Sequence, residues 1–230
     1  MTGLERFLEL SDLYNAHHDR LWQAARKPTT DGSVRYGAPQ KIPFPHIEEF
    51  RAEGLAHQDE LRQALASPSQ TLSVLFAITH TDEPRLGELA IDATRDHPDP
   101  DVRSARLQAA CHTRATRCWR AFLEGLDDPE ERVRLACANF VQVLVRCHHR
   151  ALLRDALLRV ASNRAEATAV RLMAIDSASQ FAGRVVDHTL RAIAAEEEAM
   201  APFVAVALRK SAAARYRRGR LRSGQAPPRR

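Results

Sequence analysis

The chain has little of what marks a catalyst or a stapled secreted domain. Its four cysteines, Cys111, Cys118, Cys137 and Cys147, fall in or beside helical segments mid-chain, which predicts reduced thiols rather than a disulfide framework. No two of them have the two-to-four-residue spacing of a structural zinc site, even with His112, His148 and His149 alongside, so neither metal nor cofactor is expected. A glycine-rich phosphate loop, a nucleophile elbow and a two-histidine metalloprotease helix are all missing, and no enzymatic activity is expected. His17, His18 and Asp19 cluster beside Trp22, but helical spacing sets nothing else next to them. Long apolar runs are missing too. The longest, Ala201 to Leu208, is far short of the roughly 20 residues a membrane span needs. Met1 to Glu5 shows no basic segment leading into an apolar one, so the expectation is a cytoplasmic protein without membrane contact.

Aromatic residues make up 6% of the chain and glycines number nine in 230 residues. Ala, Leu and Arg abound instead, which favours helix almost throughout. The formal charge of +5 is local: nine of the 34 basic residues lie from Arg209 onward, with none of the 29 acidic ones, so the remainder is net negative. Only Lys27, Lys41 and Lys210 are lysines.

Thr2 and Glu5 have the spacing of a capping box, and one or two helices are predicted over residues 3–26. Residues 27–45 hold Pro28, Gly32, Gly37, Pro39, Pro43 and Pro45 and read as a long loop. Helix resumes over 46–66, with Ile47, Phe50, Leu61 and Leu65 inward. From 67 the chain pairs its helices: 71–79 with 84–95, 100–111 with 114–126, 130–146 with 150–161, and 166–181 with 184–196. A last helix over 199–217 offers Phe203, Val204, Ala207 and Leu208 inward, and 218–230 is a basic tail without apolar period. The expected domains are therefore a helical cap over 1–66, paired helices over 67–217, and a disordered tail.

The pairs repeat in detail. Leu126 to Val145 opens Asp127, Asp128, Pro129, Glu130, Glu131 and continues with an inward stripe of Val133, Ala136, Phe140, Val141 and Leu144. Asp99, Pro100, Asp101, Val102 and Arg103 repeat the opening, and Val170, Arg171, Met173, Ala174 and Ala178 repeat the stripe. Aligning the second helices by apolar positions sets Ala115 with Leu153 and Val186, Trp119 with Leu157 and Leu190, and Phe122 with Val160 and Ile193. That register puts Trp119 in the core.

These motifs resemble HEAT repeats of the shorter kind found in relatives of phycobilisome lyases, best over 97–161 and more weakly over 67–96 and 162–208. The resemblance implies an all-α, right-handed α-α solenoid of about four hairpins behind an N-terminal helical cap. It implies structural ties between repeats through Arg103, Arg134 and Arg171, and a concave face of second helices that holds a protein partner. A scaffold or adaptor without catalysis is the expected function, its narrower form a bacterial immunity or complex-assembly role.

Candidate partner-binding residues are those expected to be exposed on second helices: Arg117, Arg120, Arg154, Asp155, Asp187, His188 and Arg191. Their rows alternate in sign, as suits a protein rather than a phosphate track. Nucleic-acid binding through the basic tail and repeat arginines is the alternative. HEAT-like DNA glycosylases share the repeat plan and supply a third reading, but no catalytic residue carries across to this chain. No small-molecule substrate is expected.

Overall fold

A computed structural model describes residues 2–28, 34–36, 42–144 and 148–222; within these, side chains are described except at 26–28, 34–36, 140–143 and 217–222. Among the described residues the chain is helical nearly throughout, with twelve α-helices, two 3-10 turns and one short strand pair. They divide into two compact units, Met1–Asp96 with Gln108–Thr116, and His97–Leu107 with Arg117–Arg230. No helix is long and apolar enough to cross a membrane, among the residues described.

The first unit opens with α1 (Gly3–Ala24), whose capping box is closed: Thr2 Oγ1 accepts from the Glu5 amide at 3.1 Å, and the Glu5 carboxylate accepts from the Thr2 amide at 2.7 Å. The stretch expected as loop holds β1 (Arg26–Pro28) antiparallel to β2 (Val34–Tyr36), with Arg26 opposite Tyr36. Three-residue strands are too short for alternation to be read in a sequence. Residues 29–33 and 37–41 of that loop lie outside the described residues.

The helix expected over 46–66 is instead two, α2 (Ile47–Ala56) and α3 (Gln58–Leu65). His57 breaks them, leaving helical dihedrals at φ −115°, ψ 34°, and its ring covers Gly3, where a Cβ would lie 2.1 Å from it. Gly54 similarly admits Leu86 and Phe7, at 2.5 and 2.8 Å from a would-be Cβ. The unit continues with α4 (Thr71–Thr81) and α5 (Pro84–Ala93). Its core contains Phe7, Leu10, Phe50, Leu61, Leu65, Leu75, Ile78 and Leu86, all without solvent exposure.

Helix α6 (Pro100–His112) contributes its beginning to the second unit and its end to the first. The second unit then comprises α7 (Cys118–Leu126), α8 (Glu131–Leu144), α9 (Arg150–Ser162), α10 (Thr168–Ala178), α11 (Arg184–Glu196) and α12 (Ala201–Arg222). Val102, Val133 and Val170 begin the inward stripes of α6, α8 and α10, at 2%, 0% and 0% exposure. In α8 the stripe runs through Cys137 and Ala138, whereas Ala136 is half-buried; Phe140 and Val141 lie outside the described side chains.

The second helices correct the expected register. Cys118, Leu153 and Val186 are equivalent, as are Phe122, Leu157 and Leu190, and Gly125, Val160 and Ile193. A slip of three residues keeps an apolar stripe nearly in phase on a 3.6-residue helix, so apolar matching alone does not tell the two registers apart. Ala115 therefore precedes α7, and Trp119 sits half-buried on its flank rather than in the core. Gly125 faces the first helices: a Cβ there would stand 2.2 Å from Cys137 Sγ and 3.0 Å from Leu107 Cδ1. Cys111, Cys118 and Cys137 are buried and unbridged; Cys147 lies outside the described residues.

Helix α12 is described as far as Arg222, past the expected 217, since Ala and Arg sustain helix without an apolar period. Val204, Ala207 and Ser211 face inward, and Phe203, expected among them, is 51% exposed. Residues 223–230 lie outside the described residues.

Replacing Gly125 with valine should destabilise the protein by about 1–3 kcal/mol, the usual cost of overpacking a filled core. Urea denaturation of the variant measures it, and an unchanged midpoint would refute the close approach of α7 to Cys137.

Candidate functional site

Three arginines organise the second unit. Arg103 Nε and Nη2 clasp both oxygens of Asp128 at 2.8 and 2.9 Å, while its Nη1 donates to the carbonyls of His97 and Pro98 in the turn before α6. Arg134 repeats this at the next hairpin: its fork holds Glu166 at 3.0 and 2.9 Å, and Nη1 donates to the carbonyls of Asp128 and Pro129. Arg171 holds Glu197 at 2.8 and 2.6 Å and donates from Nε to the Ala161 carbonyl. Arg103 and Arg134 thus grip the turn behind their helix, Arg171 grips the last turn of α9, and each holds a carboxylate in the turn that follows the hairpin. Asp128 also accepts from the Glu130 amide at 2.9 Å, as Asp99 does from Asp101 at 2.8 Å, so the Asp-Pro openings fix the starts of α6 and α8.

The hydrogen bond from Arg103 holds the Asp128 carboxyl below its ordinary value, and Arg134 and Arg171 do the same to Glu166 and Glu197. A second set of exposed pairs crosses the same turns: Arg132 with Asp101 at 2.7 Å, Arg159 with Asp127 at 2.9 Å, and Arg164 with Glu196 at 2.7 Å.

Except for Arg191, the candidate binding residues fall at the start or in the first two turns of the second helices. Arg120 is exposed, its Cζ 5.1 Å from the centre of the Trp119 ring, and Trp119 stacks on His149 with centroids 3.9 Å apart. Arg117 is half-buried at the start of α7. Arg154 donates to the exposed Asp155 at 2.7 Å. His188 and Arg191 are exposed on α11.

Asp187 is not among the displayed groups. It is 5% exposed and accepts from Ser211 at 2.8 Å and from Arg215. Burial pushes its carboxyl up, but the Arg215 and Ser211 hydrogen bonds outweigh this and hold it below the ordinary value. Helix α12 therefore takes Asp187 away from any partner, which the sequence of α11 alone does not reveal.

A cleft of about 270 Å³ opens between the start of α9 and the turn into α11. Arg150, Arg154 and Arg184 line it, over a floor that includes the buried Phe181 and Val186. Arg150 Nη2 donates to the Phe181 carbonyl at 3.1 Å. Ala182, at φ 37°, turns the chain here in a conformation unfavourable for a residue with a Cβ. Val185, which lines it, and Leu152, its equivalent on α9, are 52% and 53% exposed. Arg150, Arg184, Leu152 and Val185 escape an alignment made for charged residues within the helices, because they stand at or before the first turn.

The first unit holds a second gathering that helical spacing shows only in part. Tyr14 of α1 stacks on His80 of α4 with centroids 4.4 Å apart, and Phe76 meets the same imidazole edge-on at 4.6 Å. Phe44 packs against Tyr14 and His17, and Trp22 donates to His18 Nε2 at 3.2 Å. Burial, with the charges of His112 and His18, pushes His80 down to about 4, so it is neutral at physiological pH. Among the described residues, no group of three or more His, Cys, Asp or Glu is arranged to hold a metal ion.

No family model, curated protein or solved structure matches the chain.

Removing the Arg134 fork by Arg134→Met should cost about 1.5–3 kcal/mol, since Glu166, with only 9% of its side chain exposed, loses a charged double hydrogen bond. Adding Glu166→Gln should return part of that loss in a double-mutant cycle, whereas strict additivity would show that the two side chains are not coupled.

The acid response has a definite sign. The depressed carboxyls of Asp128, Glu166 and Glu197 give stability that is complete above their ordinary values of 3.8 and 4.5 and is lost as pH falls through their lower folded values. Unfolding midpoints should therefore drop on acidification below about pH 4.5, and drop less in Arg134→Met than in the parent.

Proposed function

We propose that the chain is a non-catalytic protein-binding scaffold or adaptor, a right-handed solenoid of about four HEAT-like helical hairpins behind a helical cap. One observation carries this reading. The clasp of Arg103 on Asp128, of Arg134 on Glu166 and of Arg171 on Glu197 recurs from hairpin to hairpin. Such a device joins units in register rather than building a reaction centre, and it suits an array whose second helices face a partner. Half-exposed Val185 beside Arg154 and Arg184 adds the mixture of apolar and cationic surface that protein interfaces favour. A bacterial immunity or complex-assembly role is the narrower form of the proposal.

Nucleic-acid binding is the second reading, and the burial of Asp187 favours it by removing one acid from the exposed rows. Asp155, fixed on Arg154, still interrupts the positive charge. Phosphate tracking calls for a run of one sign.

Affinity purification of the full chain should return one stoichiometric protein partner that survives washing at about 1 M salt, where screening is nearly complete. Recovery of nucleic acid instead, lost with added salt and with deletion of residues 218–230, would overturn the scaffold reading.

A further inference from the structure

We propose that the cleft between α9 and the turn into α11 binds a carboxylate of an acidic, aliphatic-bearing peptide segment in a protein partner. This deepens the scaffold reading and rests on it.

Charge is the first argument. Arg150 and Arg184 have no carboxylate partner among the described residues, and Arg150 is held only by the neutral Phe181 carbonyl. Arg154 has one, but Asp155 is the residue next to it, its side chain 56% exposed. Asp187, the acid closest in sequence to the α11 side of the cleft, faces Ser211 and Arg215. The rim thus carries three guanidinium groups against one exposed carboxylate. Docking a neutral surface here would strand that charge, whereas an acidic group would satisfy it.

Shape and chemistry narrow the ligand. Guanidinium forks match carboxylates in two parallel hydrogen bonds. The space of about 270 Å³ is small for a cofactor pocket and fits one or two side chains. Its floor is apolar, and the half-exposed Val185 carries that apolar surface to the rim, so an aliphatic side chain next to the acid is accommodated. A nucleic acid would bring phosphates to the arginines but set sugar against aliphatic carbon, and one short cleft is not a track for successive phosphates.

The test measures fluorescence anisotropy of the full chain with two probes at near-physiological salt: a labelled peptide of alternating Glu and Leu, and a single-stranded DNA oligonucleotide of equal charge. Arg184→Glu and Val185→Ser alter exposed positions, and circular dichroism melts check that both variants fold. The peptide should bind saturably, and each variant should weaken it at least tenfold. Arg209→Glu, the same charge change on an exposed part of α12, should change it less than twofold.

Absence of saturable peptide binding overturns the proposal, as does binding that the cleft variants leave intact. Tighter binding of the oligonucleotide, lost in the same variants, overturns it in favour of nucleic acid. The parent reading fails separately. If purification returns a stoichiometric partner that Arg184→Glu retains fully, the cleft is wrong and the scaffold stands; if no protein partner is recovered, the scaffold reading itself falls.

Discussion

The second unit depends on a guanidinium that reaches in two directions. In Arg103 and Arg134, Nη1 secures the carbonyls of the turn just left behind, while Nε and Nη2 take hold of a carboxylate beyond the next helix. Arginine suits this because its donors lie in one rigid plane and stay charged at every relevant pH. Lysine offers a single point of attachment, and Lys210 is the only lysine in this unit. The clasping arginine directly follows an inward valine, so one turn of helix both fills the core through Val133 and sets the junction through Arg134. Packing and register are thereby specified by neighbouring residues.

That arrangement has an electrostatic result. Asp128, Glu166 and Glu197 lie in the turns, and each is engaged by an arginine. At the other end of α11, Asp187 is drawn under α12. The N-terminal ends of the second helices are left dominated by Arg120, Arg150, Arg154 and Arg184, with Asp155 the exception. Positive charge there follows from where the acids are needed for folding, even though the chain upstream of Arg209 is net acidic.

The sequence makes the helices legible wherever spacing and punctuation agree. Thr2 and Glu5 announce α1, Pro84 starts α5, and the recurring Asp-Pro openings followed by Val102-Arg103 and Val133-Arg134 place α6 and α8 and point to the clasping arginines. Periodicity is weaker where two solutions share a phase. The three-residue slip in α7 is such a case, and Gly125, small because it meets Cys137, is the residue that settles it. Long-range partners are not legible at all. Nothing within α11 says that Asp187 will meet Ser211 and Arg215, and nothing around His80 says that Tyr14 will stack on it. The cleft is of the same kind: Arg150 and Arg184 open two helices far apart in sequence, and only folding gives them a common wall.

The buried thiols have one more consequence. Cys111 belongs to the first unit and Cys118 and Cys137 to the second, each at or below 7% exposure and none bridged. A thiol reacts as its thiolate and only when a reagent reaches it, so these sulfurs stay silent until their surroundings open. The chain thus carries its own clock for local opening in each half, and alkylation at one cysteine against another would time the breathing of the two halves without any foreign label.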